Sequence, residues 1–264
     1  MTATFRILGC GSSGGVPRIG GDWGACDPTE PRNARTRCSA LVTRHGESGA
    51  TRVLIDTSPD LRHQLLLAGA GTLDGVLFTH PHADHVHGID DLRTVVINAQ
   101  ARLHVWADEP TSRELLHRFD YVFETPPGSG YPPICHLHPI RGPVTVEGAG
   151  GPLTFHPFEV RHGSIPALGF RIGGLAYLPD VSDIPGDAWA ALEDLDCWIV
   201  DALRYKPHPT HAHLDQTLEW IARARPRRAV VTNMHVDLDY ATLARDLPPG
   251  VIPAHDGIEI DFDP

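Results

Sequence analysis

The pattern of hydrophobic and polar residues predicts strands alternating with helices through the first half of the chain. Apolar residues alternate with polar ones, or run together briefly, where strands are expected over 4–8, 39–43, 52–55, 75–78 and 103–106. Apolar residues recur at helical spacing over 59–68, 90–99 and 111–119. The polar turn over 46–49 predicts that the second and third strands pair with each other.

The second half predicts a further set of strands and helices. Strands are expected over 144–146, 153–160, 168–172, 175–178, 197–201 and 229–232, and helices over 189–192 and 214–224. Between the halves, the Pro- and Gly-rich stretch 124–143 predicts a long loop or lid with little regular structure. Two sheets packed face to face with helices outside is the α/β architecture that buries these elements most simply, and we treat residues 1–264 as one domain.

Composition narrows the class of protein. The 264 residues carry a formal net charge of -11, which argues against an extended nucleic-acid surface. A small anionic substrate is still compatible, because bound metal ions supply local positive charge. Five cysteines without a C-x-x-C pair predict free thiols in a reducing cytoplasm. No segment resembles a signal peptide or the roughly 18 apolar residues of a membrane span, so no membrane partner is expected, while a homodimer is allowed for.

Metal-binding residue types crowd together directly after the apolar strand at 75–78. His80, His82, Asp84 and His85 lie within six residues of one another. In a short loop, the first two of these side chains can converge on one ion while the last two turn to a second. Neutral imidazole and carboxylate suit zinc, and also manganese or iron. Because the order H-x-H-x-D-H is far more specific than chance histidines in a solvated loop, it predicts a metal site.

This motif resembles the signature of the metallo-β-lactamase superfamily. The resemblance implies an αββα four-layer sandwich with two divalent metal ions, zinc or manganese, at one edge. It assigns as ligands His80, His82 and His162 for the first ion, Asp84, His85 and His235 for the second, and Asp180 as a bridge between them. It also implies that Asp56, at the end of the strand over 52–55, orients a ligand from behind.

A closer resemblance is to the PhnP-type cyclic-phosphate phosphodiesterases. The matching segments are 9–17, 88–93, 211–215 and 256–260. In that family a histidine followed by x-Asp before a helix assists catalysis; His213 occupies this position, with Asp84 also at the reacting centre, and His211 is interpreted as a solvent-facing neighbour. PhnP itself has a cysteine cluster and a second histidine that form a structural zinc site. Here the corresponding stretch contains a single cysteine, Cys26, and Leu238 occupies the position of the histidine, so no such zinc is expected.

These features together predict a metal-dependent hydrolase, most simply a phosphodiesterase that acts on a small cyclic or nucleotide-like phosphodiester. A hydroxide bridging the two ions would be the nucleophile, and His213 would assist the departing alkoxide. A thioesterase, lactonase or glyoxalase-type hydrolase is an alternative that the His213 segment disfavours. A tRNA-processing nuclease is disfavoured by the acidic charge. A non-catalytic binding protein on the same fold is disfavoured by the complete set of ligands.

Overall fold

Strands of the chain form two seven-stranded sheets in the computed structural model, which describes residues 2–264. The first sheet contains β1 (Ala3–Gly9), β2 (Ser39–Gly46), β3 (Gly49–Ile55), β4 (Gly75–Leu77), β5 (Leu103–Ala107), β6 (Cys135–Pro139) and β14 (Glu259–Phe262). Their order is β14-β1-β2-β3-β4-β5-β6. The strands from β3 to β6 pair in parallel, whereas the other pairs are antiparallel.

The second sheet mirrors this arrangement. It contains β7 (Val144–Val146), β8 (Leu153–His162), β9 (Ile165–Ile172), β10 (Leu175–Leu178), β11 (Cys197–Asp201), β12 (Arg228–Thr232) and β13 (Val251–Pro253). Their order is β13-β12-β11-β10-β9-β8-β7, with parallel pairing from β10 to β13. Both sheets therefore have an antiparallel half and a parallel half.

Within residues 2–264, six α-helices connect and cover the sheets. They are α1 (Leu61–Ala68), α2 (Ala83–Val86), α3 (Leu92–Ala99), α4 (Glu109–Phe123), α5 (Leu214–Ala224) and α6 (Tyr240–Asp246). Helix α1 ends at Gly69, whose φ of 64° is a left-handed conformation that glycine adopts without strain. Helix α4 begins after Asp108, whose side chain accepts a hydrogen bond from the Thr111 backbone N–H. Among the described helices, none is both long and apolar enough to cross a membrane.

The apolar side chains form two cores on either side of the first sheet. Between the sheets lie large buried side chains such as Phe5, Tyr177 and Phe170. On the opposite face of the first sheet, Leu61 and Leu92 from the helices pack with its strands. Burial of each such side chain stabilises the fold by about 1.5–3 kcal/mol. Helices α5 and α6 contact β11 and β13 of the second sheet, so the predicted αββα sandwich is confirmed.

The observed elements include α2, α6, β13 and β14, which were not predicted, and they differ from the predicted ones in two further places. The stretch 124–143, predicted to have little regular structure, contains β6, which pairs in parallel with β5 at the edge of the first sheet. The helix predicted over 189–192 is part of a longer 3-10 segment, Gly186–Leu192. Both differences arise where pairing with distant residues or local turn geometry outweighs the pattern of the segment itself.

The carboxyl ends of several strands meet along one edge of the sandwich. Strands β3 and β4 end just before Asp56 and Thr79, and β8 ends at His162. In the second sheet, β10 ends shortly before Asp180 and β11 ends at Asp201. Loops that leave the carboxyl ends of neighbouring parallel strands bring their side chains together, and the candidate site lies here.

Candidate metal centre

The loop after β4 places the H-x-H-x-D-H residues around one point. His82 is extended, with φ -64° and ψ 151°, and the four-residue helix α2 follows it at once. This short helix turns the chain back, so that His85 is fully buried while the ring of His82 stays half-exposed. His80 is fully buried as well. Burial lowers the pKa values of His80 and His82, which keeps both rings neutral and able to bind a metal.

Three imidazole nitrogens converge on the open side of this loop. The Nδ1 atom of His82 lies 3.1 Å from Nε2 of His80 and 3.0 Å from Nε2 of His162. The ring of His80 is fixed from behind by Thr79 Oγ1, 2.9 Å from its Nδ1 atom, and the ring of His162 by the Thr210 carbonyl, 2.7 Å from its Nδ1 atom. Because those Nδ1 atoms carry the protons, both Nε2 atoms present lone pairs to His82. One proton on His82 can satisfy only one of them, whereas a metal ion would satisfy all three nitrogens.

A second group of ligand atoms lies beside the first. Nε2 of His85 faces Oδ2 of Asp180 at 3.0 Å, yet both atoms are buried without a hydrogen-bond partner. The Nδ1 atom of His85 is 2.8 Å from Asp56 Oδ2, which fixes its proton on that side. Burial works to lower the pKa of His85, but Asp180 and Asp56 outweigh it and hold the pKa well above its usual value. This position therefore demands a positive charge, from a proton or from a cation.

Asp180 lies between the two groups. Its Oδ2 atom faces His85, and its Oδ1 atom is 3.9 Å from Nε2 of His162. Asp84 approaches the second group from the solvent side, with Oδ2 3.7 Å from Nε2 of His85. The structure thus brings six of the seven predicted ligands together: His80, His82, Asp84, His85, His162 and Asp180. Imidazoles and carboxylates in this arrangement fit divalent ions of the zinc or manganese type.

Asp56 supports the centre from beneath. It is fully buried, and its carboxylate accepts hydrogen bonds from the backbone N–H and the hydroxyl of Thr79 and from His85 Nδ1. Burial raises its pKa, although these hydrogen bonds favour the charged form. The backbone φ of Asp56 is 64°, a strained value for a residue that is not glycine. The rings of two ligands, His80 through Thr79 and His85 directly, are oriented by this one carboxylate.

The structure corrects the interpretation of His211. Instead of facing solvent, the ring contacts Asp201, with its Nδ1 atom 3.0 Å from Asp201 Oδ2, and leaves only 16% of the side chain exposed. The same atom is 3.5 Å from Asp180 Oδ1, and the ring centroid is 4.6 Å from that of His162. Burial works to lower the pKa of His211, but Asp201 and Asp180 raise it to about 9. His211 belongs to the site, paired with a buried carboxylate.

Neither His213 nor His235 belongs to the groups of ligand atoms that converge here. His213 is the N-cap residue of α5, and its side chain does not cap the helix. His235 lies outside the cluster, with Nδ1 3.4 Å from the partly exposed Asp237. The residue that follows β12 into the site is Asn233, whose φ of 59° turns its amide Nδ2 towards Asp180 and Asp201 at 3.3 and 3.2 Å. In each segment, the residue two positions before the predicted histidine contacts Asp180: His211 in one and Asn233 in the other.

The segment around Cys26 is held by hydrogen bonds. Arg35 is almost fully buried, and its guanidinium donates to the carbonyl of Leu238 at 2.7 Å and to Asn33 Oδ1 at 3.1 Å. The thiol of Cys26 lies 3.3 Å from the carbonyl of Val236. Arg35 therefore ties the loop after β1 to the segment that follows Asn233.

This geometry is that of a candidate metal centre: buried, pre-oriented imidazoles and carboxylates surround a site for divalent ions at the rim of two sheets. The family model described as "Beta-lactamase superfamily domain" matches residues 51–234, which include His80, His162 and Asp180. The chain belongs to this superfamily and has its metallo-β-lactamase fold.

Comparison with known proteins adds two curated relatives. The chain is 35% identical over 262 residues to an octanoyltransferase of Porphyromonas gingivalis, an alignment that covers 97% of this chain and 51% of the relative. It is 35% identical over 147 residues to a ribonuclease Z of a Bradyrhizobium strain, covering 53% of this chain and 45% of the relative. The chain thus spans about half the length of each.

A solved structure of a similar protein aligns with this chain over nearly its whole length. It is described as a new diphosphatase from the PhnP family, is 37% identical in sequence, and superposes with a TM-score of 0.87 over 99% of this chain and 98% of its own. The resemblance to PhnP-type proteins predicted from the sequence is confirmed by this match.

Proposed function

We propose that the protein is a phosphodiesterase that hydrolyses a small cyclic or nucleotide-like phosphodiester with two bound divalent ions, zinc or manganese. His80, His82 and His162 would hold the first ion, and Asp84 and His85 the second. Asp180 would contact both, because its two carboxylate oxygens face the two groups. When bound, the ions supply an acidified water and positive charge for the phosphoryl oxygens.

The observation that carries the proposal is the His211–Asp201 pair beside the metal ligands. Asp201 accepts the Nδ1 proton of His211, which leaves Nε2 as the atom that exchanges a proton with a substrate. An alkoxide is a poor leaving group that benefits from a proton, whereas a thiolate leaves readily without one. The pair therefore favours an ester of an alcohol over a thioester.

The charge of the chain supports a small substrate. A net charge of -11 repels a long polyanion, while the cluster of ligands at the sheet rim would attract a single phosphodiester group once it holds cations. This reasoning disfavours the tRNA-processing nuclease, although a ribonuclease Z is among the relatives.

A diphosphate is the second candidate substrate. The solved structure that covers 99% of this chain at 37% identity is described as a diphosphatase. A phosphorus atom between two bridging oxygens occurs in diphosphates as in phosphodiesters, so the same ligands and the same proton donor would serve both.

A substrate screen with metal analysis tests the proposal. The purified protein, loaded with zinc or with manganese, is assayed on a 2′,3′-cyclic nucleotide, a dinucleoside diphosphate, a pre-tRNA, a thioester and a lactone. We expect about two ions per chain and the highest kcat/KM on the cyclic nucleotide or the diphosphate. Activity confined to the thioester or the lactone would contradict the proposal, and so would a single strongly bound ion.

A further inference from the structure

A second group of histidines lies on the first sheet, away from the metal centre. His104 is on β5, and His136 and His138 are on the edge strand β6. In the register of the two parallel strands, His104 is opposite His136, and Trp106 is opposite His138. We call His104, His136 and His138 the histidine shelf.

All three rings project from the same face of the sheet. Neighbouring residues Leu103, Val105 and Cys135 point the other way, into the core beneath the helices. Because side chains alternate along a strand, the shelf residues face the inter-sheet side. Trp106 packs there against the inter-sheet core, whereas His104 and His136 are exposed. The shelf therefore lies on the face of the first sheet that is directed towards the second sheet, at an edge where that face is open to solvent.

Two of the three rings already have nitrogens close enough to share a ligand. Nδ1 of His104 and Nε2 of His138 are 2.7 Å apart, so one of them donates a proton to the other's lone pair. The ring of His136 stacks on that of His104 with centroids 5.3 Å apart and an interplanar angle of 28°. Burial, and then the neighbouring His104 and His136, lower the pKa of His138, which favours the neutral form of that ring.

We propose that the histidine shelf is a binding site for one divalent ion of the class that prefers imidazole ligands, such as zinc or copper. An i, i+2 pair on one strand with a third histidine on the adjacent strand places three imidazoles side by side on one face of the sheet. With metal–nitrogen bonds of about 2.0–2.1 Å, a tetrahedral ion needs its nitrogens about 3.3 Å apart, so His104 and His138 must separate slightly. His136 must turn about its side-chain torsions to become the third ligand.

Binding at the shelf requires no change in the backbone. When the ion binds, the ring that donates the His104–His138 hydrogen bond changes its tautomer, so that its proton is on the other ring nitrogen. That nitrogen then donates a hydrogen bond to solvent. The two strands hold their register through the hydrogen bonds of the sheet. The ion at the shelf is expected to exchange readily with ions in solution, because two of its three ligands, His104 and His136, are exposed side chains.

Metal counting on the holoprotein tests the proposal without relying on activity. Protein whose catalytic centre is filled is dialysed against micromolar free zinc, and metal per chain is measured. We expect one ion more than the centre holds, lost in the double variant His104→Ala/His138→Ala. The matched control His63→Ala/His156→Ala removes two exposed histidines elsewhere and should keep the ion. Retention of the extra ion by the shelf variant, or its absence from the unmodified protein, would overturn the proposal.

Two further measurements define the ligands. Replacing His136 with alanine should weaken zinc binding at the shelf by about tenfold or more, and unchanged affinity would refute its role as the third ligand. Copper should quench the fluorescence of Trp106, whose ring centroid is 5.3 Å from that of His138. Trp106→Phe should abolish that quenching while the copper stays bound; quenching that persists undiminished in this variant would place the copper elsewhere.

Discussion

The two histidine clusters differ in what stands behind their rings. In the metal centre, the nitrogen of each buried ring that faces away from the site is held by the protein: His80 by Thr79, His162 by Thr210 and His85 by Asp56. In the histidine shelf, the His104 ring forms its hydrogen bond with His138, which is itself a member of the cluster. One cluster is fixed before any ion arrives, and the other must rearrange.

This difference separates a site suited to catalysis from one suited only to binding. Ligands whose tautomer and orientation are fixed from behind hold an ion in a defined geometry, which electrostatic catalysis requires. The metal centre also has Asp180 and Asp84, whereas the shelf consists of imidazoles alone. Histidine density therefore indicates metal affinity, while the buried partners of the histidines indicate reactivity.

The largest effect is expected from the carboxylate shared by the two groups of ligands. Asp180→Asn removes the negative charge between His85 and His162, so the ions lose a ligand and its compensating charge. We expect kcat/KM to fall by about 1,000-fold or more, with less than the full metal content. Steady-state kinetics and metal analysis on the same samples measure both.

A nearby aspartate serves as the control for that variant. Asp183 is 61% exposed and pairs with Arg161 on the surface, so Asp183→Asn should leave activity and metal content unchanged. Full metal content and activity in Asp180→Asn would mean that this carboxylate is not a ligand.

An intermediate effect is expected when Asp56, which supports the metal centre from beneath, is replaced. The two carboxylate oxygens of Asp56 now accept hydrogen bonds from Thr79 and His85, and Asp56→Asn leaves only one accepting oxygen. The rings of His80 and His85 then lose part of their orientation, and metal affinity should fall by about 10- to 100-fold. Competition with a metal chelator measures this affinity. Unchanged affinity in the variant would remove the distinction between the two clusters.

The smallest effect is expected at the shelf. His104→Ala/His138→Ala should change the free energy of unfolding by no more than about 0.5 kcal/mol, because one ring is exposed and the other only partly buried. Activity on the best substrate should stay at the level of the unmodified protein. A strong loss of activity with the catalytic ions still bound would show that the shelf communicates with the metal centre.

Much of the fold was predictable because local pattern and tertiary structure agree in the core. Strands such as β11, which is buried along its whole length, carry continuous apolar runs. Strand β6, Cys135–Pro139, alternates histidine with apolar residues as a strand does, but it was missed because it is short and follows prolines in a Pro- and Gly-rich stretch. Its pairing with β5 stabilises it, and no signal within the segment reveals that partner.

The candidate site was predictable where its residues are adjacent in sequence and less so where single residues come from distant loops. The H-x-H-x-D-H loop carries its geometry in its spacing. The choice between His211 and His213 depends on where α5 begins: His213 is its N-cap, which leaves His211 in the loop facing Asp201. Likewise, the left-handed turn at Asn233 directs this side chain to Asp180 and Asp201, a placement that no sequence pattern indicated.

The central claim is that His211 assists the leaving group beside a metal centre, and one comparison tests it most directly. His211→Ala and the matched control His213→Ala are assayed on an alkyl and an aryl phosphodiester, with metal content measured on each sample. We predict that His211→Ala lowers kcat on the alkyl diester by about a hundredfold or more, lowers it much less on the aryl diester, and keeps all its ions. His213→Ala should resemble the unmodified protein on both substrates. Equal losses on the two diesters, or loss of an ion from His211→Ala, would contradict the account.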